Sequence, residues 1–357
     1  MRKHNLLWVL LGSAWLARSS SAQGLESPPA EAGALRTQVV WAIPWGDQAG
    51  QVGRQNFPEA AHDFLPADFC RAPNGALWVC DGVNNRLVSF PPLSGTAEPA
   101  GQTLQIPLDQ PTHVAVSEQG VFIVDWPRRV PPDDLLQCRL WHYAGGRMQE
   151  KAAFQDAAAG YLPGQLIALK GGDLLVVGDR LHRVKPDGEV QEVPIKAPGL
   201  TVVVSPVGGV YQVEQWEREA GVLRGRVKCW SLDAEEQEPS WIEVALPYDT
   251  GPDMDPEWLE SHPSGARLIG ADGAGRLYFI LYERLRGGLP RLTLARFSSA
   301  GELLARGYFQ PDGVDLRQAW NRCLWEFWRV TPEGQVLVAL PTEQEYRIIE
   351  AAFEPAP

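Results

Sequence analysis

Six times along the chain an apolar run meets a glycine-bearing turn, reverses into a second apolar run and breaks at an acidic residue. The clearest unit is ADFCRAPNGALWVCDGVNNRLVSF from Ala67, and the others begin at Thr112, Gln165, Leu200, Ala266 and Leu324. The turns carry Gly75, Gly120, Gly172, Gly209, Gly275 and Gly334, which supply the positive φ that a tight hairpin needs. The second runs, such as Val121–Val124, Leu277–Leu281 and Val336–Leu340, are apolar at every position. A strand of that kind is covered on both faces.

Amphipathic helical runs that could supply this cover are missing between the units, so the sheets must cover one another. Repeats of roughly 40 to 50 residues with this content predict a propeller of four-stranded antiparallel blades. The last unit supplies three strands, while an unmatched strand, Arg36–Ile43, precedes the first. Using that strand to complete the last blade would leave no ring edge open. The fold expected is therefore all-β, a six-bladed β-propeller over 36–353 whose last blade is completed by the N-terminal strand, followed by a tail, 354–357. A closed ring of this kind predicts a monomer.

Pro66-Ala67-Asp68-Phe69…Pro73-Asn74-Gly75-Ala76-Leu77-Trp78-Val79-Cys80-Asp81…Asn84-Asn85-Arg86-Leu87 resembles an NHL repeat, as does Pro111-Thr112-His113-Val114 with the following Gly120-Val121-Phe122-Ile123-Val124-Asp125. The resemblance is good over two units, fair over the third and loose over the rest, where Glu replaces Asp and no Asn-Arg follows. It implies a six-bladed propeller that mainly presents surfaces for binding.

The first residues change the picture of where the protein works. Arg2, Lys3 and His4 precede an apolar stretch from Leu6 to Ala17, and small residues end it at Ser20-Ser21-Ala22. That order reads as a signal peptide over 1–22, cleaved near Ala22, and predicts a secreted or periplasmic protein. Residues 23–35 are rich in Pro, Ala and Glu and read as a disordered leader. No later run approaches the ~20 apolar residues of a membrane span. A net charge of −12 disfavours nucleic acid as a partner. The five cysteines, Cys70, Cys80, Cys138, Cys229 and Cys323, are an odd number and read best as buried apolar groups. A four-residue loop at Pro73–Ala76 would set Cys70 opposite Val79, with Cys80 on the other face.

Two sets of polar residues fall on one face of such a ring, here termed the upper face. Asp81, Asp125, Asp179, Glu214, Glu283 and Glu343 end the second strands and are each followed by Arg. A feature repeated in every blade points to a structural role in the loop. Three of these loops are enlarged and carry Trp126, Arg128, Arg129, Trp216, Arg218, Arg224, Arg284 and Arg286, suited to meeting an anionic or aromatic partner. The second set, Asp68, His113 and Gln165, stands where inner strands begin, and Glu326 is expected beside it at the mouth of the central channel. No catalytic motif, zinc spacing or phosphate loop is complete. The sequence therefore points to a binding scaffold for a protein, peptide or glycan, working through its upper face and channel mouth without a cofactor. The alternative is a metal-dependent lactonase-like hydrolase of the same six-bladed type, with a divalent cation such as Ca²⁺ held at the mouth.

Overall fold

The computed structural model describes residues 35–55, 65–92, 101–106, 108, 111–130, 135–156, 165–178, 180–193, 202–219, 221–232, 238–255, 266–288, 290–314, 316 and 327–354, with the backbone alone for 126–130, 135–136 and 155–156. The signal, most of the leader and the last three residues of the tail lie outside this set.

The chain opens with β1 (Leu35–Pro44). Blade 1 follows as β2 (Asp68–Arg71), β3 (Leu77–Asp81), β4 (Arg86–Phe90) and β5 (Gln102–Gln105). Blade 2 is β6 (Pro111–Ser117), β7 (Gly120–Val130), β8 (Leu135–Ala144) and β9 (Arg147–Asp156). Blade 3 is β10 (Gln165–Ala168), β11 (Leu174–Val177), β12 (Leu181–Val184) and β13 (Val190–Val193). Blade 4 is β14 (Val202–Val204), β15 (Gly209–Glu219), β16 (Val222–Ser231) and β17 (Ser240–Pro247). Blade 5 is β18 (Ala266–Ala271), β19 (Leu277–Arg284), β20 (Pro290–Phe297) and β21 (Leu303–Phe309). Blade 6 is β22 (Trp328–Val330), β23 (Val336–Pro341) and β24 (Glu345–Phe353), completed on its outer edge by β1. All six sheets are four-stranded meanders, and β1 pairs antiparallel with β24 through Val39↔Ile349 and Ile43↔Tyr346.

Six apolar clusters hold this arrangement together, one between each pair of neighbouring blades. Leu277, Phe279 and Leu281 face blade 4, where they meet Leu223, Val227 and Val244. Their alternates Tyr278, Ile280 and Tyr282 face blade 6, where they meet Trp328, Val336 and Ile349. The period-two alternation of a strand thus feeds two different interfaces, which is why the second strands are apolar throughout. The cluster of Ile348, Ala339 and Leu337 with Phe69, Leu77 and Val79 joins blade 6 to blade 1, and Trp41 and Ile43 of β1 take part in it. The six-bladed propeller with N-terminal closure is therefore the observed fold.

Three local expectations are corrected. The first hairpin closes at Ala72, whose N–H donates to the Ala76 carbonyl at 2.7 Å, so its loop has three residues, with Gly75 at φ 84°. A turn ending in a left-handed Gly shortens the loop by one and slips the register. Cys70 therefore stands opposite Trp78 and shares a face with Cys80, but both thiols are free. In the fourth unit the left-handed residue is Gly208, at φ 87°, while Gly209 already pairs with Ser231. The enlarged loops of blades 2 and 4 are largely strand: β15 and β16 stay paired out to Glu219↔Val222, although inner strand β14 ends opposite Gln212. Among the described residues no helix is long and apolar enough to cross a membrane.

Candidate functional site at the channel

The innermost strands β2, β6, β10, β14, β18 and β22 each form the inner edge of a blade. They begin on the upper face and end in hairpin turns on the lower one. At the upper end Asp68 of blade 1, only 1% exposed, is the hub of a polar cluster. It accepts the N–H of Phe69 at 2.7 Å and of Val114 at 3.2 Å. His113 of blade 2 reaches its Oδ2 through Nδ1 at 3.3 Å, and Arg329 of blade 6 donates to its Oδ1. Burial alone would raise the Asp68 pKa, but the Arg329 charge, the His113 hydrogen bond and charge and the Val114 N–H outweigh it and hold the carboxyl below its usual range. An ionised Asp68 can only accept, so the Nδ1 of His113 is the donor in this contact. The His113 Nε2 is buried without a hydrogen-bond partner.

Of the residues expected at the mouth, the structure brings Asp68 and His113 together. Gln165 lies on the channel wall, and Glu326 is outside the described residues. Arg329 was not anticipated. Its signal was present, since a charge in the middle of the short inner strand Trp328-Arg329-Val330 has no place in an inter-blade core.

The strand-end acids have partners on the third strand more often than in their own loop. Asp81 and Arg86, both essentially buried, pair at 2.8 Å. Asp81 also accepts the Gly53 N–H at 3.0 Å, and Arg86 donates to carbonyls of Gly46, Asp47 and Gln51. The pair thereby fastens the connection that brings the chain from β1 into blade 1. Blade 5 repeats the device: Arg291 pairs with buried Glu283 at 3.0 Å and with Asp249 at 3.1 Å, and Glu283 takes the Asp249 N–H. Asp125 stands opposite Arg139. Blades 4 and 6 depart from this pairing of the acid with an Arg. Glu214 sits at a bulge inside β15 and pairs with Lys228, not Arg218. Glu343 lies in an exposed turn, while Arg347 pairs with Glu345. Asp179 is outside the described residues.

The arginines and tryptophans expected on the upper loops divide into three groups. Trp216 packs edge-on against Phe279 of blade 5 at 5.6 Å, lying over Gly225, where a Cβ would come within 2.6 Å of its ring. Arg218 lies over Tyr248, Arg284 pairs with Asp255 at 3.7 Å, and Arg286 donates to the Met254 carbonyl. Arg224 is 60% exposed and pairs with Glu219. For Trp126, Arg128 and Arg129 the backbone alone is described, with Arg128 opposite Gln137 and Arg129 opposite Leu136.

Burial pushes the Cys70 and Cys80 thiols up, Asp68 nearby adds to this, and neither is a reactive group. Cys323 is outside the described residues. Among the described residues no three His, Cys, Asp or Glu side chains converge on a point a metal could occupy. Asp68, the one carboxylate beside a histidine here, is already engaged by a guanidinium. This donor set does not fit a divalent cation.

Below the cluster the channel widens into a cavity of about 1090 Å³ with walls drawn from all six blades and an opening among the lower hairpin turns.

No family model matches the chain. No curated protein matches it in sequence. Among solved structures it is similar to virginiamycin B lyase from Staphylococcus aureus, with 10% identity, a TM-score of 0.45, and coverage of 90% of this chain and 100% of that one. It is also similar to the PQQ-bound aldose sugar dehydrogenase of Streptomyces coelicolor, with 12% identity, a TM-score of 0.41, and coverage of 91% and 100%. Overlaps this loose assign no activity to the chain.

Proposed function

We propose that the protein is a binding scaffold that engages a protein, peptide or glycan through its upper face and channel mouth. The observation behind this reading is the blade-4 arm. Beyond the end of β14, residues 213–219 of β15 continue as paired strand, a rise of roughly 20 Å at ~3.3 Å per residue. The hairpin is stiffened by Trp216 on one side and exposes Arg224, Arg226, Glu217 and Glu243 on the other. A rigid extension packed on one side and charged on the side turned to solvent suits partner recognition better than turnover. The test is retention of glycan and peptide arrays by the protein and by an Arg224→Ala/Arg286→Ala variant. Ligands held by the first and released at least tenfold faster by the second support the scaffold; equal retention overturns it.

The hydrolase alternative is favoured only by the buried Nε2 of His113, which has no hydrogen-bond partner. It predicts that Ca²⁺, Mn²⁺ or Zn²⁺ raises the melting temperature by mass action. A flat response to all three removes it. The order of charged, apolar and small residues over 1–22 supports a location outside the cytoplasmic membrane, and N-terminal sequencing of the mature protein checks that.

A further inference from the structure

The cavity below the Asp68 cluster opens among the lower hairpin turns, on the face opposite the upper loops. The six inner strands turn unpaired backbone edges toward the axis, which by themselves would hold only water. Between those edges, however, Val116, Ile167 and Val330 pack against the seams of blades 1 and 2, 3 and 4, and 5 and 6 and are only half-buried, so part of each apolar side chain is left open to the bore. Its volume of about 1090 Å³ lies just above the range of about 300–1,000 Å³ usual for small-molecule sites.

At the lower end of this apolar belt stands Arg71. Its Nη1 is anchored to Gln335 Oε1 at 2.7 Å and Glu350 Oε2 at 3.4 Å, and Gln335 is itself tied to Glu350 at 2.9 Å. The opposite edge of the guanidinium, Nε and Nη2, makes no hydrogen bond among the described residues. This is the edge that receives a carboxylate through two parallel bonds. Lys170, exposed on the lower rim of blade 3, two blades around the ring, also has no ion pair among the described residues. Of the acids near Arg71, Glu350 is engaged by Arg71 and Gln335, and Glu118 and Glu333 stand on exposed turns.

We propose that the lower channel is a binding site for a small amphiphilic carboxylate, its head on the free edge of Arg71, with Lys170 adding positive charge to the same lower rim, and its apolar body along Val116, Ile167 and Val330. The site is independent of the upper-face scaffold.

Isothermal titration with octanoate, decanoate and decanol, all below their aggregation limits, tests it. Two added methylenes should tighten binding about fifteenfold from octanoate to decanoate. Decanol, with the tail but no charge, should bind at least tenfold more weakly than decanoate. Lys170→Gln, a surface change with no packing role, should weaken decanoate several-fold and leave decanol unchanged, whereas Arg224→Ala/Arg286→Ala should alter neither. Affinity independent of chain length, equal binding of decanol and decanoate, or an unchanged decanoate affinity in Lys170→Gln would each overturn the proposal. Loss of array binding in the upper-face variant with decanoate binding intact would keep the two sites distinct.

Discussion

Asp81 and Arg86 show how this molecule handles buried charge. The carboxylate takes a backbone N–H as well as the guanidinium, and the guanidinium reaches three carbonyls of the connection arriving from β1. Removing one partner strands the other, so Asp81→Ala should cost about 3–5 kcal/mol, read by denaturant unfolding at neutral pH. Asp68 makes a different prediction because its pKa is depressed. A carboxyl ionised more readily in the folded than in the unfolded chain contributes stability above its unfolded pKa. That contribution drains as pH falls below the ordinary value of 3.8 and through the folded one. Acid unfolding of the wild type should steepen below about pH 4, and Asp68→Asn, less stable at pH 7, should narrow its deficit there. A deficit constant with pH would contradict the role given to Asp68. Asp68 and His113 could be singled out from sequence because each stands two residues after a proline at the entry to an inner strand, but Arg329 lies 261 positions from Asp68 and only ring closure makes them neighbours.

The hairpins carry the next lesson. Period-two alternation and glycine punctuation reveal the strands, yet they do not count loop residues, and a one-residue difference moved Cys70 from Val79 to Trp78. The hairpin depends on Gly75 holding φ 84°, so Gly75→Ala should cost about 1–2 kcal/mol in thermal or chemical unfolding. A cost near zero would mean that the turn readily takes another form. The arms of blades 2 and 4 escaped the sequence reading for a related reason. Gln215 to Arg226 is polar on the face turned away from blade 5, and polar segments between apolar runs look like loops until the pairing Arg218↔Leu223 is seen. Trp216 gave the hint, since a large ring directly across from Gly225 suits a paired strand.

At the scale of the whole molecule, six blades share six apolar seams, and the seam between blades 6 and 1 includes residues from both ends of the chain. This much was legible because strands apolar on both faces with no helices to cover them leave few alternatives. The identity of a ligand was not legible, because the charged upper surface and the mixed channel wall carry no repeating constraint. Ring closure is the premise on which the channel, the Asp68 cluster and both proposed sites rest. Hydrogen–deuterium exchange of the native protein tests it most directly, followed by mass spectrometry of peptides covering 35–44, 336–341 and 345–353. The account predicts that the β1 amides paired with β24 are protected to a degree comparable with β23. Exchange of 35–44 at the rate of an unstructured chain, while blades 1 to 5 remain protected, would contradict it.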